Sequence, residues 1–599
     1  MLPRIFASVK MAIIVCTTIS SLMGSGFAQK PMACHVMETQ EQIAPEKLPP
    51  PQKLTGIGNA HIRITGTPEA QMWFDQGLNL LHDFWDYESA RAFEQSIRVD
   101  PNCAMCYWGL YQAENFYHRD DMYYASQMLT KANNLKGHAS KAERLYIEAS
   151  VAQEAADKSE KNDKSKAIQI NRKLVKQNPK DKQAKIYLAE ILSDGYDDDG
   201  KPRAGKKEAL EILQAVLKED PNDSAANHYW IHAVEASPHP EQALHSAEIL
   251  ASLAPTSGHM VHMPGHIFYR TGDYAHAKQS FTASTIADEQ YMQAQHVRVD
   301  DDWNYVHNLM YAIANLLEAG EFKNATELSG KLKAARGQLD NTLYTNSSRD
   351  AISRLDPGLP VALRSADWET ALTQLKSANT TLPNLKFLGN ELTQFALGMQ
   401  ALDHHDLSAA ETASQKFDAE LWRMSDRAKD EADLKAKEKK VNENAPAKLT
   451  LMPDALADPL VSNLSIMSLE LRAGLLVAKK QNDEAKKLYA QAAREEKGLG
   501  YREPPAYIRP VGETEAAAYM AAGNWSDAKA AYKNALVDRP RSGFPLYGIA
   551  IASEQATDVA AATAEYKDFL SAWKSADSNL PQIAHAREYL ASHGVAAGD

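Results

Sequence analysis

The stretch RPVGETEAAAYMAAGNWSDAKAAYKNALVDRPRS, residues 509–542, decides the fold. Its 34 residues put Gly523 at position 15, Trp525 at 17, Ala528 at 20, Tyr532 at 24, Ala535 at 27 and Pro540 at 32. The pattern is a helix, a glycine turn and a second helix that a proline ends. Small residues let the two helices approach and aromatics fill between them. The anchors return upstream. Residues 69–102 carry Trp73, Gly77, Phe93 and Pro101, and residues 258–291 carry Gly272, Tyr274, Ala277 and Phe281. Residues 306–339 carry Gly320, Phe322 and Ala325, and residues 352–385 carry Trp368, Ala371 and Pro383. Residues 148–181 carry Ala167 and Pro179, residues 224–257 carry Pro255, and fainter copies stand at 391–423 and 466–499. A fixed period of this length means stacked helical hairpins, each burying its apolar face on the next.

These anchors resemble the tetratricopeptide repeat (TPR). The resemblance implies an all-α, right-handed TPR-like helical-hairpin solenoid of about nine or ten helix pairs. It also implies that positions 2, 5, 9 and 12 of each first helix line a concave groove. Several longer words, AQMWFDQGLNLLHDFW, DPNCAMCYWG, NHYWIHAVEAS, HMPGHIFYRTGDY and YREPPAYIRP, are similar to a family of large exported bacterial TPR proteins without an established activity. Residues 69–426 read as one array and 466–599 as further repeats. Between them, 427–465 form a charged helix and loop excursion. The insert GYDDDGKPRAG (195–205) lengthens one turn, without the spacing of a calcium loop, and 292–305 read as an acidic insert.

At 599 residues the chain is too long for one compact core. Its formal net charge of −13 leaves no basic surplus for phosphates and excludes nucleic acid as the expected partner. Residues 1–28 have the charged, apolar and small-residue regions of a secretory signal peptide, followed by an extension over 29–68. No spanning segment is read after the leader, so the expected location is periplasmic or secreted. In that compartment Cys103-x-x-Cys106 closes as a structural disulfide, or Cys34 pairs with one of them. No histidine follows Cys106, which excludes c-type haem attachment.

The chemistry lies in NHYWIHAVE (227–235) and GHMVHMPGHIFY (258–269). Each holds a His-x-x-x-His pair, His228/His232 and His262/His266, and the pairs are one repeat apart. Residues i and i+4 share a helix face. In the TPR register the groove positions are Ala225, His228, His232 and Glu235, then His259, His262, His266 and Tyr269. His307 takes position 2 of the next repeat. His239, His245, His276 and His296 fall off that face. Five imidazoles in eight groove places point to a transition metal, Zn, Cu, Fe or Ni. Two other readings are an organic ligand, such as a peptide terminus, and a hydrogen-bonded structural network. If the site is catalytic, it would be a metal-dependent hydrolase or oxidoreductase, with Glu235 as general base or further ligand and Tyr269 as proton donor or oxyanion stabiliser. Trp108 is a ligand contact at a groove position. His82, Glu503 and Tyr507 join only if the superhelix curls until its ends approach the middle. The main alternative is a metal-free scaffold that takes a protein, peptide or small-molecule ligand in the groove. Pro264 should kink or restart its helix, and if the helix restarts near His262, His259 belongs to the preceding loop.

Overall fold

The computed structural model describes residue 47 and residues 49–595, apart from 118–121, 198–199, 300–301, 337–347, 382 and 422–457. The leader, Cys34 and most of the charged excursion lie outside the described residues. Contacts divide the chain into two compact units, one ending at Ser246 and one beginning at Ala247.

The first unit opens with an extended strap over 52–66 whose backbone is satisfied by side-chain amides of α1 (Pro68–His82). Gln76 Oε1 accepts from Leu54 N at 3.0 Å, Asn79 Oδ1 from Ala60 N at 2.7 Å, and Gln71 Oε1 from Ile64 N at 2.9 Å. Midway along the strap, Asn59 and Ser224 exchange hydrogen bonds of 3.0 Å. Between them run α2 (Asp86–Val99), α3 (Ala104–Tyr117), α4 (Met122–Leu135), α5 (Lys141–Asp157), α6 (Ser165–Gln177), α7 (Lys182–Leu192), α8 (Ala204–Glu219) and α9 (Ser224–Val234). Cys103 and Cys106 form a disulfide at the start of α3.

After α10 (Leu244–Leu253), in which the division falls, the second unit continues through α11 (Gly258–Arg270), α12 (Tyr274–Gln295), α13 (Trp303–Glu318), α14 (Phe322–Arg336), α15 (Ser348–Leu355), α16 (Leu359–Ser365), α17 (Trp368–Ser377) and α18 (Pro383–Asp403). It ends with α19 (407–421), α20 (Asp458–Ala478), α21 (Asn482–Gly498), α22 (Val511–Ala521), α23 (Trp525–Asp538), α24 (Gly543–Gln555), α25 (Val559–Ala572) and α26 (Pro581–Ser592). Its first helices pack on its last. The turn glycines Gly272 and Gly320 have φ of +78° and +75°. A Cβ on them would lie 2.5 Å from the Pro540 carbonyl oxygen and 2.8 Å from Ala576, so the turns can close only on glycine. Tyr274 Oη donates to Pro540 O at 2.8 Å, and Trp573 Nε1 to Glu318 O at 2.9 Å.

The all-α TPR-like hairpin solenoid is therefore present, and the described residues contain no strand beyond a lone Tyr196–Pro202 bridge. The details differ from the sequence reading. With α15 and α16 counted as one broken helix, the described helices taken as consecutive pairs make twelve hairpins and a final helix rather than nine or ten. The α24–α25 pair hides because Thr557, at φ +60°, stands where the turn glycine belongs. The first helix of the 148–181 copy begins early, at Lys141, behind the Ser140/Glu143 capping box. The first helix of the 352–385 copy is broken into α15 and α16. Helices enter the acidic insert from both sides, since α12 runs to Gln295 and α13 starts at Trp303. One helical stretch, Leu460–Ala478, is long and apolar enough to cross a membrane, where the sequence reading found none. It is 72% buried inside its unit, as a core helix packed on α21.

Candidate functional site

In the first unit, α9 is N-capped by Asp223, which accepts from Ala226 N at 2.9 Å. One turn separates His228 from His232, and both are drawn into the interior. His228 Nδ1 lies 2.6 Å from the carbonyl oxygen of His82. A carbonyl can only accept, so the proton is on Nδ1 and the Nε2 lone pair points away from it. His232 Nδ1 lies 2.6 Å from Glu235 Oε1 at the helix C-cap, and its Nε2 stands 3.1 Å from His228 Nε2. The Phe84 ring covers the pair, with its centroid 4.8 Å from His228 and 5.3 Å from His232. Its backbone sits at φ +56°, a strained left-handed geometry for a bulky residue. The unit thus curls far enough for the turn after α1 to reach α9. His82 enters the site through its carbonyl. Its own ring is buried and neutral, since desolvation lowers its pKa to about 4. Trp108 is buried in an aromatic stack with Tyr146 and Tyr187 and donates Nε1–H to Ser150 at 2.9 Å, which fits core packing better than a ligand contact.

In the second unit, α11 is continuous from Gly258 and capped by Ser257. Pro264 sits inside it, so the expected restart does not occur and His259 lies on the helix rather than in a loop. Gly258 permits this entry, because a Cβ there would fall 1.6 Å from Asp288 Oδ1. His262, His266 and His307 are buried, and each offers a ring nitrogen within 4.8 Å of the others. Asn308 fixes the first of them. Its Nδ2 donates to Phe281 O at 2.9 Å and Thr285 Oγ1 at 2.7 Å, so Oδ1 is the atom 2.8 Å from His262 Nδ1 and must accept. The His262 Nε2 lone pair therefore faces His266 Nε2, 2.7 Å away. Asn304 repeats the device one turn earlier. It donates to Asp288 at 2.8 Å and accepts from His259 Nδ1 at 3.1 Å. Burial, then the neighbouring Asp302, holds the Asp288 carboxyl well above its usual pKa.

Glu503 comes to this cluster from the loop between α21 and α22. Its Oε2 lies 3.8 Å from His266 Nδ1 and 3.9 Å from His307 Nε2. Tyr507, on the same loop, is buried and donates to Glu470 of α20. Tyr269 packs in the aromatic core with Tyr274 and Tyr311. The histidines off the groove face are the contrast, for His239, His245, His276 and His296 are all exposed. Sequence reasoning missed Asn304 and Asn308, although they flank His307 one turn apart on α13.

The class of protein is thus a TPR-like helical solenoid with buried imidazole clusters. No protein-family model matches the chain, and no curated protein sequence is similar to it. Among solved structures it is similar to yeast Tom70, at 15% identity and a TM-score of 0.26 over 88% of this chain and 96% of that one. It is also similar to human IFIT1, crystallised as a dimer with m7Gppp-AAAA, at 12% identity and a TM-score of 0.33 over 84% and 97%. The TPR domain of P58(IPK) matches at 12% identity and a TM-score of 0.17 over 69% and 99%. At these scores the fold assignment stands on the helix pairs themselves.

Proposed function

We infer that this chain is an exported metal-binding protein whose buried imidazoles hold a transition metal, Zn, Cu, Fe or Ni. The observation that carries this is the hydrogen bonding of His228 and His232. Both Nδ1 atoms are committed, one to a carbonyl and one to a carboxylate. If both rings are neutral, their Nε2 lone pairs face each other across 3.1 Å, an arrangement that calls for a cation between or beside them. In the second unit His262, His266 and His307 make the richer centre, with Glu503 as the nearby carboxylate. Nitrogens bound to one tetrahedral zinc at about 2.0–2.1 Å stand about 3.3 Å apart, so small ring rotations suffice. Carbonyl, carboxylate and amide partners on Nδ1 are the outer shell that orients metal-binding histidines. When bound, the ion would supply positive charge and Lewis acidity in a closed, dry site.

A proton can play the same part at His228/His232. His232 would then be an imidazolium paired with Glu235, and the protein a metal-free TPR scaffold for a protein or peptide partner, bound away from positions that side chains already fill. The leader read in 1–28 and the Cys103–Cys106 disulfide both suit an oxidising, extracytoplasmic compartment.

Elemental analysis of tag-free protein beside a His232→Ala/His266→Ala double variant decides between the two. A stoichiometric metal that the variant loses is the expected result. Protein that stays metal-free after reconstitution with each ion overturns the reading in favour of the scaffold.

A further inference from the structure

Glu503 is brought to the imidazoles of α11 and α13 from more than 190 residues away in sequence, by a loop that spans 499–510. That loop is tied at several points. The Ala506 carbonyl accepts from Asn463 Nδ2 at 3.0 Å, and the Ile508 carbonyl from Arg539 at 2.7 Å. Arg539 also donates to the Tyr507 carbonyl, while the Tyr507 hydroxyl donates to Glu470. At the loop's end, Val511 N donates to Glu496 at 3.0 Å.

Arg539 has a second partner that links the loop to the site helix. It bonds Glu318 at 2.7 Å, and Glu318 lies three turns beyond His307 on α13. Glu318 itself is held by Arg364 at 2.6 Å and by Ser542 at 2.6 Å. One buried network therefore ties the helix that carries His307 to the loop that carries Glu503. Every member is almost wholly buried: Glu318 and Glu470 are each 1% exposed and Arg539 2%. Such a network is stiff, because each polar atom must keep its partner or lose its solvation outright.

We propose that Tyr507–Glu470 and Arg539–Glu318 form a two-point clamp that holds loop 499–510 so that the Glu503 carboxylate completes the His262/His266/His307 centre. Glu503 is a charged member of the centre, and Tyr507, Glu470 and Arg539 are positioning residues that act through it. Occupancy of the centre thereby depends on closure of the second unit, since the loop and Arg539 belong to its C-terminal half and the imidazoles to its beginning. This rests on the metal reading above. Desolvation keeps Glu470 protonated at neutral pH, with a pKa raised to about 8, so a glutamine there can still accept from Tyr507.

The test is a Co(II) titration of the full chain, followed by the visible d–d absorption of the bound ion. Wild type is expected to give a saturable band. Glu503→Gln, Tyr507→Phe and Glu470→Ala should each weaken Co(II) binding by about 10–100-fold and move the band, the range found when outer-shell partners of metal ligands are removed. Glu470→Gln should restore wild-type affinity and band position. A purely structural clamp would lower thermal stability and leave the band where it is. If Tyr507→Phe fails to fold, Glu470→Ala and its rescue by Glu470→Gln carry the test of the clamp. Variants that bind Co(II) with wild-type affinity and spectrum overturn the clamp and leave the metal reading standing. A wild-type chain that takes up none of Co(II), Zn(II), Cu(II), Fe(II) and Ni(II) overturns the metal reading and the clamp with it.

Discussion

Glu318→Gln probes the buried network at its centre, and its cost can be worked from the structure. Burial alone would raise the Glu318 carboxyl, but Arg364 and Arg539 outweigh it and hold the pKa at about 2, against 4.5 for a free glutamate. A pKa lower in the folded state means stability that is present above pH 4.5 and is lost as pH falls toward 2. At about 1.4 kcal/mol per pH unit, the ionised side chain favours folding by about 3 kcal/mol at pH 7 and by about 1 kcal/mol at pH 3. The glutamine should forfeit this, in line with the roughly 3–5 kcal/mol lost when one member of a buried ion pair is removed. Arg364 would keep Glu513 at 2.6 Å, and Arg539 would keep only its two loop carbonyls. A chain of two units need not unfold in one step, so the measurement is amide hydrogen exchange in 303–318 and 539–548. The gap between variant and wild type should shrink from about 3 to about 1 kcal/mol between pH 7 and pH 3. A gap below 1 kcal/mol at pH 7, or one that does not change with pH, refutes the account.

Packing and site give two further expectations. A Cβ at Gly265 would stand 2.4 Å from the Phe281 ring, itself wedged against His262 and Tyr311, so Gly265→Ala should cost about 1–3 kcal/mol by overpacking. Gly137→Ala, with nothing within 4 Å, is the control that a thermal melt should find unharmed. Asn308→Ala removes the acceptor that holds the His262 Nδ1 proton, and Zn(II) affinity by competition titration should fall about 10–100-fold. An unchanged affinity would mean that Asn308 does not orient a ligand.

The fold was legible because its anchors act locally. Gly265 and Phe281, positions 8 and 24 of one repeat, meet as the pattern requires, and Gly77 meets Phe93 in the same way. The repeats that escaped notice lack those signals, as Thr557 shows. For the site, the 3.6-residue period was enough to put two histidines on the inward face of α9, three on that of α11, and four others outside. Periodicity says nothing about tertiary partners far along the chain. Asn308 on His262, the His82 carbonyl on His228 and Glu503 beside His266 all depend on how each unit curls. Pro264 misled for the opposite reason, because a local rule about helix breaking was overridden by the packing around α11.

Glu470 has a second consequence, one for biogenesis. The stretch Leu460–Ala478 is apolar enough to pass for a bilayer segment, and under the export proposed above it must cross a translocation channel unfolded. A segment of that kind can slip sideways into lipid and stay there. Glu470 and Arg472 lie near its centre, where each charge opposes insertion by about 2.5–3.5 kcal/mol. The carboxyl that anchors Tyr507 in the folded unit would, before folding, help keep the helix from becoming a membrane anchor.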